Sequence, residues 1–296
     1  MATRAHGGTP RGGRCAPRPQ QPARRALLGL TLLLGAGALL CLAPLLFMLM
    51  ASLKPSSRML ADLGSWRAFW PAPFQPHNYV TIFTRIALGR YLLNSLAVAL
   101  ITVCGSIVVN SLAAYAFAVL RFPGRDLLFA ATVALIIVPF EAIFLPLFLT
   151  VNRLGWLNSY QALIVPFIAN AFYIFLFRQF FLGIPRELLE AARLDGASFF
   201  RIYRSLALPL ARPAIATVAI LEFVARWNDF FWPFLTLTDA TKYTAQLGLA
   251  TFFQGERTQW ALVMATATVV SLPVLALFLL MQRAIVSGVA AAGRRF

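Results

Sequence analysis

Six long apolar stretches alternate with short polar ones along the 296 residues. A helix needs about 20 residues to cross the hydrocarbon of a bilayer. The stretches at about 27–51, 91–120, 127–151, 159–181, 214–236 and 260–283 are long enough. They contain Pro44, Pro139, Pro146, Pro166, Pro233 and Pro273. Membrane helices tolerate proline when neighbours satisfy the freed backbone groups, and each proline predicts a kink. The short alternating segments of a membrane barrel are absent. The first apolar run, Ala26–Ser52, is longer than a signal peptide's core of about 7–15 residues, and no small-x-small cleavage site follows. It is read as a retained first helix.

Composition agrees with the pattern. Apolar residues make up 60% of the chain and charged residues 12%, against roughly a quarter charged in soluble domains. The chain has too little charge to cover a core of its own, so lipid must cover much of it. The expected fold is an all-α membrane protein with six transmembrane helices. The net charge of +16 raises the possibility of a nucleic-acid partner, but the arginines sit in short segments between apolar runs. They act there as topology signals, and no nucleic acid is implied. The N-tail, 121–126, 178–213 and the C-tail together carry seventeen Arg, and the other connections carry eight Arg or Lys. Both termini are therefore expected on the inner side of the membrane. Residues 1–25 hold six Arg and four Pro and read as a disordered basic tail. The six-helix domain follows over 26–285, with an inner loop at 182–213, and 286–296 form a C-terminal tail. On the other side, the connection 52–90 includes FWPAPFQPHNY, whose aromatics suit an interfacial or packed cap.

The spans carry a few charges. Glu141 lies in IIVPFEAIFLP, and Glu222, Arg226, Asn228 and Asp229 lie in LEFVARWNDFFWP. Charges are costly in hydrocarbon, so these side chains should face the bundle interior or a wet cavity. Glu222 and Arg226 are four residues apart and Arg226 and Asp229 three, so all three can pair along one helix face. Two readings fit: an ion-pair ladder that fixes helix packing, or the lining of a path for a polar solute. Enzyme chemistry finds little support. The two histidines, His6 and His77, lie outside the spans, no HExxH or GxSxG occurs, and no Gly-rich nucleotide fingerprint is present. The three cysteines, Cys15, Cys41 and Cys104, are scattered and read as unpaired. No metal site is expected.

The inner loop reads GIPRELLEAARLDGASFFRIYRSLALPLARP over 183–213. Pro185 suits a helix start, and Arg186–Leu194 are mostly good helix formers. Glu187 and Glu190 lie in the first turns, where the helix dipole favours them, and Glu190 can pair with Arg193. Gly196 breaks the run. Asp195 is expected to cap a second helix starting near Gly196 or Ala197. Leu208–Pro209 and Pro213 should end or redirect that helix before the next span. The expected product is a short helix–turn–helix on the inner face. Some of its leucines would pack on the bundle and others would be left for a partner.

This loop resembles the inner-loop signature of ABC importer permeases: Glu190, Ala191, Ala192, then Gly196, then Leu206, Leu208 and Pro209, with Asp195 and Ala197 as in the sugar-importing branch. LRFPGRD (120–126), VPFEAIFLPLFLTVNRLGWLNS (138–159), YIFLFRQFF (173–181) and WNDFFWPF (227–234) are similar to carbohydrate permeases of the maltose and glycerol-phosphate type. The resemblance runs from about residue 26 to 289. It implies a type I importer fold and a second permease subunit, often a different chain. It also implies two ATPase subunits and an extracytoplasmic solute-binding protein that delivers a carbohydrate. The 186–201 region would seat on an ATPase through Glu190 and Gly196. This chain would bind no cofactor and catalyse nothing, with ATP and Mg2+ on the partner ATPase. Transport by an ion gradient alone, or of a non-carbohydrate solute, are the alternatives. The family's Gly-rich Lys-Gly ending is not matched by SGVAAAGRRF, so contact of this tail with an ATPase is not implied.

Overall fold

The computed structural model describes residues 24–253 and 258–293. The tail expected over 1–25, with His6 and Cys15, therefore falls almost wholly outside the described residues. Among these residues there are helices and no strand. The helices are α1 (Arg24–Ser52), α2 (Ser56–Ala61), α3 (His77–Arg85), α4 (Leu88–Val119), α5 (Arg125–Ala134), α6 (Phe140–Arg153), α7 (Tyr160–Ile164) and α8 (Ala171–Leu182). The second half holds α9 (Arg186–Leu194), α10 (Phe199–Ile202), α11 (Leu208–Leu210), α12 (Arg212–Trp227), α13 (Phe231–Thr236), α14 (Ala245–Ala250) and α15 (Trp260–Gly293).

Three helices are long and apolar enough to cross a membrane unbroken: Leu28–Ser52, Leu88–Val119 and Trp260–Met281. The chain up to Leu46 forms a unit of its own. There the described leucines of α1, from Leu28 onward, are exposed, as a lipid-facing helix requires.

Two of the other predicted spans are bent pairs, and a third bent pair joins the inner loop to the fifth span. Arg125–Ile137 and Phe140–Arg153 meet at 104°, Tyr160–Phe167 and Ala171–Leu182 at 43°, and Phe199–Leu210 and Arg212–Trp227 at 76°. Pro139 causes the first break, because it lacks an N–H and forces Val138 into an extended conformation. Pro166 lies in a short 3-10 segment at the second. The third lies at Ala211, where the loop helix meets α12, and the fifth span itself requires a correction at its other end. The expected span over 214–236 stops at Trp227, and residues 228–230 separate it from the short α13. Pro44 and Pro273, by contrast, sit inside continuous helices.

Within residues 47–296, α4 is the central helix, lying against α8 and α12. Its buried face repeats every three to four residues and is rich in small and hydroxyl side chains: Ser95, Ala99, Thr102, Ser106, Asn110, Ser111 and Ala114. Small side chains let helix backbones approach closely in a membrane. Asn110, fully buried at mid-helix, repairs the second broken span. Its Nδ2 donates to Ile168 O at 3.0 Å, and its Oδ1 accepts from the Asn170 N–H at 2.8 Å. Two indoles do similar work. Trp227 Nε1 donates to Val270 O at 3.0 Å, and Trp232 Nε1 donates to Ala162 O at 2.9 Å. They tie α12 to α15 and α13 to α7.

The connection following α1 is a closed knot rather than a loose loop. Lys54, counted above among the topology charges, is fully buried. Its Nζ pairs with Asp62 Oδ2 at 3.0 Å and donates to Arg67 O. Asn78 Nδ2 donates to Ser52 O and Lys54 O at 2.7 and 2.9 Å. The aromatics Trp66, Phe69, Trp70 and Phe74 stay exposed.

Replacing Asn110 with Leu leaves Ile168 O and the Asn170 N–H without their partner in an apolar setting. The expected loss is about 1–3 kcal/mol, read as an earlier unfolding midpoint in detergent while membrane insertion persists.

Candidate functional site

The loop between α8 and α12 is built from local rules. Pro185 precedes α9 in an extended conformation, and Arg186–Leu194 form the helix, as expected. The helix ends in a Schellman closure. Gly196 takes φ +77°, the left-handed region that a glycine enters without a Cβ clash. Its N–H bonds Arg193 O, and the Ala197 N–H bonds Ala192 O, both at 3.0 Å. Ala192 and Ala197 then meet the same apolar cluster. Asp195 departs from expectation. It ends α9, and Ser198 begins the next helix, its Oγ accepting from the Arg201 N–H at 3.3 Å. The glycine turn leaves Asp195 on the wrong side of the reversal to cap α10. Arg193 also departs: its guanidinium stacks over Phe199 at 4.4 Å, and among the described residues it makes no ion pair with Glu190.

Beyond Ser198 one helical path continues to Leu210 instead of stopping at Leu208–Pro209. Residues 203–207 form a π-turn in which the Leu208 N–H reaches Tyr203 O. Pro209 has no N–H to offer, so the wider turn accommodates it without a break. The redirection comes at Ala211, and Pro213 sits in the first turn of α12, where its missing donor costs nothing.

One face of this loop is anchored. Leu189, Ala192, Ala197, Leu206 and Leu208 pack on a cluster that includes Tyr115, Phe177, Phe181, Tyr203, Ala214 and Val218. Ser111 Oγ and the Tyr203 hydroxyl lie 2.8 Å apart, and the Tyr115 hydroxyl donates to Phe199 O at 3.2 Å. The loop is thereby tied to α4, α8 and α12 at once. The other face is bare: Leu188, Leu194 and Phe200 are 47%, 89% and 62% exposed. Glu190, Ala191, Asp195 and Gly196 are exposed with them.

The charged residues of the spans form a second group. Arg226 Nε stands 3.2 Å from Glu222 Oε1, and its Nη1 lies 2.8 Å from Asp229 Oδ2. The ladder expected from spacing is present. The guanidinium also covers the Phe167 ring at 3.8 Å. Glu222 is buried, and Tyr173 on α8 interacts with its carboxylate. Asp229 has a further task, since its Oδ1 accepts from the Trp232 N–H at 3.2 Å and so starts α13. Arg226 and Asp229 also line a recess of about 400 Å³ with Glu141, Phe140, Phe167 and Phe231. Glu141 is exposed there and joins no ion pair among the described residues. Asn228 is exposed too and accepts from Gln246 Nε2 at 3.4 Å. Pairing and lining therefore coexist at one place. Phe140, Phe167 and Phe231 were not singled out in the sequence, because aromatics in an apolar run look alike until the breaks bring them together.

Residues 106–291 match the family described as binding-protein-dependent transport system inner membrane component. The chain belongs to this family of permeases. The matched region contains the α8–α12 loop and the ion-paired recess. The arabinooligosaccharides transport system permease protein of Halalkalibacterium halodurans is 33% identical over 257 residues, 86% of this chain and 92% of its own. The Bacillus subtilis protein of the same description is 33% identical over 90% of this chain and 95% of its own. The sn-glycerol-3-phosphate transport system permease protein of Pectobacterium atrosepticum is 41% identical over 68% of this chain and 72% of its own. In fold, this permease superposes on a chain from the crystal structure of a bacterial ABC transporter involved in import of the acidic polysaccharide alginate. The TM-score is 0.78 at 24% identity, covering 90% of this chain and 99% of the other. The expected type I importer permease architecture is therefore the observed one.

Two changes at the ladder separate a charge effect from a packing effect. Arg226→Met strands buried Glu222 without its counter-charge and should cost about 3–5 kcal/mol of stability. Glu222→Gln removes the charge that needed pairing and should cost clearly less. Thermal unfolding of the detergent-solubilised protein ranks the two.

Proposed function

We propose that this permease is one membrane-spanning half of an ATP-driven importer for a carbohydrate, delivered by an extracytoplasmic binding protein. A second permease subunit, a different chain, completes the pathway. Two ATPase subunits bind and hydrolyse ATP with Mg2+, so this chain carries no catalysis. The excess of arginine in the connections on the α9 side supports a cytoplasmic position for that end of the bundle and for both termini.

The observation that carries the reading is the two-faced loop. An exposed apolar face on a helix-turn unit is a docking surface for a protein groove. The opposite face shares one apolar cluster with three spans, so a push on α9 is delivered to α4, α8 and α12 together. Closure of an ATPase pair can then tilt the bundle as a rigid body. Glu190, Ala191, Ala192, Asp195, Gly196 and Ala197 form the coupling element. Pro185, Leu208, Pro209 and Pro213 set its geometry. Gly196 acts through shape, since its left-handed turn aims Leu194 and Asp195 away from the bundle.

The recess of Glu141, Arg226 and Asp229 is the proposed path segment, with Asn228 at its edge. Arg226 is already matched by two carboxylates, so Glu141 leaves the lining with an excess of negative charge. Such a field disfavours phosphorylated or uronic solutes and accepts neutral ones. The three phenylalanines offer flat faces to sugar rings. A neutral oligosaccharide, as in the name of the arabinooligosaccharide relatives, fits better than a glycerol phosphate.

Gly196→Pro should insert into the membrane normally and reduce ATP-dependent uptake at least tenfold, because proline cannot adopt the positive φ. Undiminished uptake in that variant, or uptake in ATP-free vesicles driven by an ion gradient, would remove the coupling role. In competition assays, neutral oligosaccharides should block uptake, whereas sn-glycerol-3-phosphate and uronate oligomers should not.

A further inference from the structure

The face that carries α9 has a second feature, which borders the coupling element at Glu190 and lies outside the proposed solute path. Beside the loop lie two adjoining hollows of about 410 and 520 Å³. Arg121, Arg125 and Arg186 line both, and Arg193 lines the larger. Arg121 and Arg186 are exposed and have no hydrogen-bond or ion-pair partner among the described residues. Arg125 is held by Asp126 at 3.0 Å and by Leu120 O at 3.4 Å. Glu190 is the other carboxylate of the lining. Four guanidinium groups thus face two carboxylates, one of which is already engaged.

The backbone adds to this field. α5 begins at Arg125 and α9 at Arg186, so two helix N-termini open beside the hollows with their positive ends and free N–H groups. Position defines the ligand further. The recess lies where α4 ends, α5 begins and α8 ends, which is where spans leave the hydrocarbon. Leu127 and Leu182 are 75% and 50% exposed at its margin. An inorganic anion has no use for such a margin, whereas a lipid has a phosphate for the arginines and acyl chains for the leucines.

We propose that this recess binds the headgroup phosphate of an anionic phospholipid from the inner leaflet. The bound lipid bridges the 120–126 turn and the first turn of α9. It thereby restrains the coupling loop in anionic membrane only. The site is independent of which solute is carried.

The test uses the whole transporter, purified with its partners and placed in phosphatidylcholine nanodiscs that contain a titrated fraction of fluorescent phosphatidylglycerol. The wild type should show saturable enrichment of phosphatidylglycerol. Arg121→Gln and Arg186→Gln should each weaken it about fivefold, and the double variant about twentyfold or more. Arg204→Gln, which changes an exposed arginine of the same loop outside the recess, should leave it unchanged. The charge-preserving double Arg121→Lys/Arg186→Lys should keep most of the binding. A wild type with no saturable component overturns the proposal even if the glutamine variants do not assemble. Equal losses with Arg204→Gln reduce it to diffuse surface charge and overturn it. Displacement of the lipid by millimolar inorganic phosphate would mean a soluble-anion site. Loss of ATPase co-purification with unchanged lipid binding would hand the arginines to a protein partner. Either result overturns the lipid assignment.

Discussion

Every backbone N–H and C=O inside a hydrocarbon layer must find its partner within the protein, and much of this structure follows from that constraint. Two spans are bent pairs and a third stops short at Trp227, and each interruption frees backbone groups that lipid cannot satisfy. The protein answers with side chains from helices far away in sequence and with one local carboxylate. Asn110 takes up Ile168 O and the Asn170 N–H. Trp232 reaches Ala162 O, and Asp229 receives the Trp232 N–H. These bonds require α4, α7, α8 and α13 to sit in one arrangement. They help to explain why α4 is lined with small and polar residues despite being long and apolar enough to span.

The same logic makes the α8–α12 loop stiff. A connection between spans would ordinarily run through water with a loosely held backbone. Here the Schellman closure at Gly196, the serine cap at Ser198 and the π-turn before Pro209 place its backbone groups in local bonds. Its inner face then shares the apolar cluster of three spans. A stiff loop can transmit displacement, and a loop with an exposed apolar face can receive it.

At the recess, the ion pairs that hold the bundle and the lining of the cavity are made of the same residues. Arg226 stabilises the bundle because it matches Glu222 and Asp229, and that matching leaves the recess with no free positive charge. The two readings of these residues were thus never exclusive. Burying Glu222 behind Arg226 also holds the guanidinium over Phe167, so the ion pair helps to shape an aromatic wall.

The local elements were legible in the chain itself. Long apolar runs marked six spans, the spacing of Glu222, Arg226 and Asp229 foretold their ladder, and Pro185 and Gly196 bounded α9. These features depend on interactions within a few residues, which sequence displays directly. The tertiary structure decided the rest. Lys54 looked like a surface charge and became a buried partner of Asp62, because Asn78, some twenty residues on, closed the chain around it. Asp195 had the right chemistry for a cap but lost the place to Ser198 when Gly196 reversed the backbone. Glu141 met Arg226 and Asp229 in one recess only because Pro139 folded its span through 104°. Contacts of this kind join residues from separate helices, and their geometry exists only once the breaks and crossings of the bundle are set.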